Sequence, residues 1–445
     1  MFENIIDQSA VSQLRDDILG GRLAPASLFY GPGESGKGSS ALELARVLSC
    51  EEEASWKCPC PSCARHRYLA HEDLLAFGKK SFAAEINACC SIFTSNPDSQ
   101  SAKLLFYRSL RKSRSRFSPV LMEDDARFAK VSSVLMSFDE KLDEFLQADN
   151  ASLVKLSRAL AKDALFLEEE GIGSVIPAGQ VRRSAYWCRL APLGKRKTLI
   201  IENADNMREE GRASLLKLLE EPPANVTIIL TASRRESIMP TILSRLRPYR
   251  FIKRSPESEK EVLRRVFQFT QDLESAEKQM SEERSNGLIG AYLDSFLPGS
   301  AEKLYPLAAW FLVSVARIAS LSIKKESGAD IPGYLTVLGE RYAPIAEQAG
   351  FERTFKSEGL AKALLAKGGN FEGDSFPRFL KLVLDMAAAA AREVNDPQVS
   401  FYNDVFRKYI TEAVTAVETL NQSGALALEA LLYKLKKALP RGRCG

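Results

Sequence analysis

The chain has 445 residues, 45% of them hydrophobic and 27% charged, and its 61 Lys and Arg against 57 Asp and Glu leave a net charge of +4. Such a length holds roughly two to four domains, and so small a net charge excludes an overall field that demands a nucleic-acid partner. No apolar run approaches the ~18–20 residues of a membrane span, and MFENIIDQSA at the start lacks the basic and apolar regions of a signal peptide, so the cytosol is the expected compartment.

The first elements in chain order are those of an α/β domain. VSQLRDDILGG has helical spacing and stops at Gly20 and Gly21. ASLFYG is a short apolar run ending in glycine, as a buried parallel strand would. The loop that follows nearly fits the phosphate-binding pattern G-x-x-x-x-G-K-[ST]: Gly31, Gly36 and Lys37 are in place, with Gly33 between them, and Gly38 stands where a magnesium-binding hydroxyl belongs. The helix after it should bury Leu42, Ala45 and Leu48.

Four of the eight cysteines come next, Cys50, Cys58, Cys60 and Cys63, within fourteen residues. In a reducing compartment such a group reads as metal-binding before it reads as disulfides. Four thiolates can close a tetrahedral zinc site with no open position, which makes it structural; His66 or His71 could replace one ligand. Cys89 and Cys90 are adjacent, and Cys188 and Cys444 stand alone.

From about 84 to 170 the α/β pattern is interrupted. YRSLRKSRSRF carries Arg108, Arg111, Lys112, Arg114 and Arg116, a solvated basic linker in preference to a DNA-contacting segment. Phe128, Val131, Leu135, Phe138, Leu142 and Phe145 then share one helical face, and Leu153, Leu156, Leu160 and Leu167 another. With Asp149 and Asn150 turning the chain between them, this is a helical hairpin inserted in the first domain.

The sheet resumes with KTLIIENAD, which ends in Glu202 and Asn203, then a helix stopped by Pro222 and Pro223, then NVTIILTAS. Hydrolysing P-loop enzymes commonly place Asp-Glu at such a strand end. Glu202 could sit near a metal, but Asn203 cannot accept a proton at neutral pH. With Gly38, two requirements for ATP hydrolysis fail, and ATP binding itself becomes doubtful. Ser244-Arg245, in PTILSRLRPYRF, means little alone. After residue 255 nearly everything is helical, with breaks near Pro298–Gly299, Gly328–Pro332, Gly368–Gly369 and Asn421–Gly424.

The order of these motifs, with LIIENADNM, ASLLKLLEEPP, TILSRLRPYRF and the closing LNQSGALALEALLYKL, resembles the clamp-loader subunits of bacterial DNA polymerase III, which are AAA+ proteins. The resemblance implies an AAA+ α/β domain over 1–254 with its zinc knuckle at 50–63, a helical lid over 255–305 and a helical collar over 306–445. The insertion at 84–170 has no evident counterpart. IIENADNM with Gly38 looks like the family's delta-prime subunit, a stator without ATPase residues. On that likeness the partners are gamma/tau and delta subunits, and the sliding clamp and primed DNA through the assembled complex. The family's Ser-Arg-Cys motif maps onto Ser244, Arg245 and Leu246, which implies Arg245 as an arginine finger acting on a neighbour's ATP. Its Gly-Ser-x-Arg segment aligns with Gly299 and Ser300 and leaves Glu302 at the arginine position. An ATP-hydrolysing gamma/tau-type subunit is the alternative, and a zinc-stabilised nucleic-acid-binding protein an alternative of another class.

Overall fold

A computed structural model of the chain describes residues 1–123, 125, 127–148, 150–173, 175–269, 287–297, 301–327, 330–351, 360–367, 375–394, 398–418 and 422–441. Two compact units divide it, one of Met1–Gln279 and Asn286–Phe296, the other of Met280–Ser285 and Leu297–Gly445. Of the positions singled out from the sequence, Asp149, Pro298, Gly299, Ser300, Gly328, Gly368, Gly369, Asn421 and Cys444 lie outside the described residues.

The first unit is built on a parallel sheet of β1 (Ala26–Tyr30), β2 (Leu74–Gly78), β3 (Lys197–Glu202), β4 (Val226–Ala232) and β5 (Arg247–Arg250), in the order β2-β3-β4-β1-β5. Every residue of β3 and β4 is buried, as strands covered on both faces must be. The sequence predicts three of the five strands. It misses β2 because LLAFG is short and has no alternation. It misses β5 because RPYR reads as a charged turn; as an edge strand β5 tolerates its proline. With many helices around this sheet, the fold class is the expected one, α/β plus helical regions.

Helix α1 (Ser9–Leu19) precedes β1, and α2 (Lys37–Ser49) follows the glycine loop. The buried face of α2 is Ala41, Leu44, Ala45 and Val47; Leu42 and Leu48, expected beside Ala45, are only half-buried against the same core. Helix α3 (Pro61–Arg67) begins inside the cysteine group.

Between β2 and β3 run α4 (Ala83–Ser95), α5 (Gln100–Arg114), the short α6 (Pro119–Met122), α7 (Phe128–Gln147), α8 (Asn150–Gly171) and α9 (Ala178–Arg189). The expected hairpin is α7 against α8. Val131, Leu135, Phe138, Leu142 and Phe145 are buried along its inner face, but Phe128, at the first position of α7, is 37% exposed. The basic stretch is neither a solvated linker nor a free cationic surface. Arg108 is bonded to the carbonyls of His66 and Arg67, and Arg111 donates to the carbonyl of Leu69 at 3.0 Å. Lys112 pairs with Glu85, Arg114 forks onto Asp139, and Arg116 reaches Glu202. Each cation sits on a helix packed inward, where an unpaired charge would be costly and a carboxylate or carbonyl must meet it.

Helices α10 (Glu209–Glu220), α11 (Pro240–Leu243) and α12 (Pro256–Arg265) follow β3, β4 and β5. The helix Gly287–Ser295 packs on α12 and α4 within this same unit. The second unit is a bundle of described helices Ala301–Ser327, Gly333–Gln348, Leu360–Lys367, Ser375–Ala391, Val399–Glu418 and Gly424–Ala438. Ala301–Ser327 runs straight through the expected border at 305/306. Its stretch Leu304–Lys325 is long and apolar enough to cross a membrane, with mean hydropathy 1.6, contrary to the expectation that no run comes close. Leu307, Trp310, Phe311, Leu312 and Val315 on it are buried in the bundle core. Buried Tyr334 and Tyr342 donate to the carbonyls of Ala387 and Met386, which satisfies their hydroxyls.

Candidate nucleotide loop and metal centre

The glycine loop is shaped by its neighbours. Gly31 has φ +148°, and a Cβ there would lie 2.1 Å from the carbonyl oxygen of Phe251, so β5 can close on β1 only over glycine. Gly36, at φ +92°, turns the chain into α2. Gly33 faces open space and no contact requires it to be glycine. Arg254, buried, ties the loop from outside through the carbonyls of Glu34 and Ile6. The Lys37 ammonium lies back on the loop itself, 2.7 Å from the Gly31 carbonyl and also bonded to that of Pro32. Burial, and then the nearby Lys80, lower its pKa to about 8.

A Cβ at Gly38 would lie 3.0 Å from Glu202 Oε1 and 3.8 Å from Lys80 Nζ. Glu202 Oε2 accepts from Arg116 Nη2 at 3.1 Å, a pair almost entirely out of water. Gly78 pairs in register with Glu202, so Lys79 and Lys80 leave β2 beside it. Burial works against the Lys80 charge, but the facing Glu202, with Glu34 and Glu85, holds its pKa above the ordinary value. Asn203, in the left-handed conformation at φ +50°, spends its side-chain N–H on the Lys79 carbonyl. Magnesium needs oxygen ligands at ~2.0–2.1 Å in near-octahedral array. Here the position after Lys37 has no oxygen, Glu202 is engaged by a guanidinium, and the Lys80 ammonium stands alongside, while the nearby Glu34 acts on the charges of both Lys37 and Lys80. These residues do not fit the ion.

The cysteines do fit one. The sulfurs of Cys50, Cys58, Cys60 and Cys63 all lie within 4.8 Å of one another and all four residues are buried. Cys50 Sγ is 3.6 Å from Cys58 Sγ and 3.9 Å from Cys60 Sγ. Thiolates placed tetrahedrally at ~2.3 Å from zinc stand ~3.8 Å apart. The N–H groups of Glu52 and Ala54 point at Cys50 Sγ, and that of Cys63 at Cys60 Sγ. Burial opposes ionisation of Cys60, but the N–H groups of Glu51 and Cys63 outweigh it and lower its pKa to about 7. Buried Arg46 donates to Cys63 Sγ at 3.1 Å and forks onto Glu43 at 2.6 and 2.8 Å.

His66 and His71 are not part of this set. Their rings stack on each other at 4.1 Å, and His71 is held by Ser62 and the N–H of Asp73. Burial, then His71, lower the His66 pKa to about 3, so it is neutral.

Ser244 and Arg245 are exposed just after α11. Arg245 donates to the Thr241 carbonyl and to Ser244 Oγ, and pairs with Glu220 at 2.9 Å. The sequence reading missed Lys80, Arg116, Arg254 and Arg46. For Arg46 there was a signal, the Glu43/Arg46 spacing of i,i+3 on a helix that runs into the cysteines. For the others there was none, because their partners lie far off in the chain.

The family profile described as DNA polymerase III, delta subunit, matches residues 6–103 and 124–255. It therefore covers most of the segment that had no evident counterpart, and leaves 104–123, with the basic stretch and Arg116, outside. The DNA polymerase III subunits gamma/tau of Mycobacterium bovis and of two Mycobacterium tuberculosis strains are 30% identical over 105 residues, 23% of this chain. The matched stretch spans only 18% of those proteins. A crystal structure of a DNA polymerase III gamma subunit-related protein from Thermotoga maritima aligns with TM-score 0.31 and 18% identity, over 64% of this chain and 90% of that one. With just over half of its length matched by the profile, the chain belongs to the DNA polymerase III, delta subunit, family of clamp-loader-like proteins.

Proposed function

We propose that the chain is a delta-prime-like clamp-loader subunit. It assembles with gamma/tau and delta subunits, helps place the sliding clamp on primed DNA, and does not hydrolyse ATP itself. The observation that carries this is the surroundings of Gly38: no hydroxyl, Glu202 taken by Arg116, and Asn203 bonded to backbone in place of a base. One zinc on Cys50, Cys58, Cys60 and Cys63 stiffens the segment after the loop helix. Residues 255–305 act as the lid and 306–445 as the collar.

Arg245 is the group that gives such a subunit a part in the chemistry. Phosphoryl transfer spreads negative charge over the phosphate oxygens, and an arginine supplied in trans stabilises it. Ser244 braces the Arg245 guanidinium and Glu220 holds it at the surface; a neighbour's phosphate would take the place of Glu220. The test is DNA-stimulated ATPase of the complex reconstituted with gamma/tau, delta and clamp. Arg245→Ala lowers the rate several-fold with assembly intact, and Arg245→Lys, which lacks the planar fork, is impaired too. A normal rate in an assembled mutant complex overturns the assignment.

The identity to gamma/tau subunits favours a second reading, an ATP-hydrolysing subunit. Turnover by the isolated chain, abolished by Lys37→Ala, would establish it against the first.

A further inference from the structure

The loop retains its shape while its surroundings reject magnesium, and the rejecting group is a specific cation. Lys80 follows β2 directly, and its backbone is pinned from several sides. The Lys79 N–H donates to the Glu202 carbonyl at 3.2 Å, Asn203 bonds the Lys79 carbonyl, and Arg116 bonds the Lys80 carbonyl. The side chain is thereby aimed at the space in front of Gly38. A divalent ion ligated there and supported by Glu202 would occupy the volume the ammonium borders.

Among the described residues the Lys80 ammonium has no hydrogen-bond acceptor; Phe82 presents its ring at 5.2 Å and Glu202 its charge. Two kinds of donor here are short of an acceptor among the described residues, and a third is held only by the loop's own carbonyls. Lys80 Nζ clings to no oxygen, Lys37 Nζ rests on loop carbonyls, and the first N–H groups of α2 lack intrahelical partners.

Resting on the proposed function, and deepening it, we infer that the loop binds the polyphosphate of a nucleotide as a metal-free anion, with Lys80 in the place and role of the divalent ion. Magnesium is unnecessary for binding, and the bound nucleotide is not turned over. Lys80 and the Arg116–Glu202 pair make the site a fixed part of the fold in place of one that reports hydrolysis.

The experiment uses the full chain and two probes, ATP and inorganic pyrophosphate, by calorimetric titration in EDTA and again in excess magnesium. Expected is an ATP affinity equal within about two-fold in the two conditions, with pyrophosphate competing. Lys80→Met weakens binding at least ten-fold in EDTA. Lys80→Gln, which keeps a polar head, serves if the Met variant fails to fold. The inference is overturned by a ten-fold or larger gain from magnesium in the wild type, by no binding of either anion, or by unchanged binding in a folded Lys80 variant. Magnesium-dependent binding without turnover would sink this inference and leave the stator reading standing. Failure to assemble with gamma/tau and delta would do the reverse.

Discussion

The cysteine knuckle and the glycine loop sit at opposite ends of α2 and solve one problem in opposite ways. Each is a concentration of polar groups that a bound cation would settle. At the knuckle the protein supplies four sulfur ligands and one guanidinium, and Glu43 neutralises that guanidinium, so the sulfurs are left for a metal. At the loop it faces Glu202 with Arg116 and Lys80, so that carboxylate is satisfied from within. A ligand pattern in the sequence is therefore not yet a site. What decides is whether the charges around it add up to a vacancy for a cation.

The comparison breaks first if the knuckle holds no metal. Structural zinc binds with ~10–16 kcal/mol in isolated finger peptides. Cys60→Ser should lose the ion and destabilise the first unit by at least about 5 kcal/mol. Metal content by elemental analysis, with denaturant unfolding, reads both. Less than one zinc per two chains of wild-type protein, or unchanged content in the variant, goes against it.

Next is the internal ion pair at the loop. Removing one partner of a buried pair costs about 3–5 kcal/mol, whereas replacing both by apolar groups is often near neutral. Arg116→Met should cost that much and Arg116→Met/Glu202→Met should recover most of it. If the single variant is as stable as wild type in urea, the pair does not hold the site as described.

A pH series sharpens the loop half of the comparison. The folded chain releases the Lys37 proton at about 8, against an ordinary 10.5. Between those values the unfolded chain binds the proton and the folded chain does not, so stability rises with pH. Below about pH 8 the whole cost of the lowered pKa is present; it fades as pH approaches 10.5. Wild type should therefore gain roughly 1–3 kcal/mol from pH 7.5 to 10.5 relative to Lys37→Met, whose curve lacks this slope. Parallel curves would place Lys37 in water. The smallest effect is at Arg245 and Glu220, a half-exposed pair worth about 1 kcal/mol or less. Glu220→Gln should leave the melting temperature within a degree or two. A larger drop would make the pair structural and weaken the case for a finger.

The sequence by itself determined what is local. The strand, glycine loop and helix, the four-cysteine group, the α7–α8 hairpin and the loss of Asp-Glu after β3 are each carried by residues a few positions apart, where periodicity and spacing speak. Only the tertiary structure decided what fills the place of magnesium. Glu202 meets Lys80 because β2 lies beside β3 in one register, and it meets Arg116 because the turn Ser115–Phe117 after α5 packs on β2. Their separations in the chain are 122 and 86 residues. The same geometry turned a run of five basic residues from a surface feature into interior bonding, since a charge on a packed helix must find a partner wherever the fold brings one. His66 and His71 likewise stack on each other a short way from the cysteines. Which neighbours share a ligand and which share only a surface is set by packing directions that no spacing of letters contains.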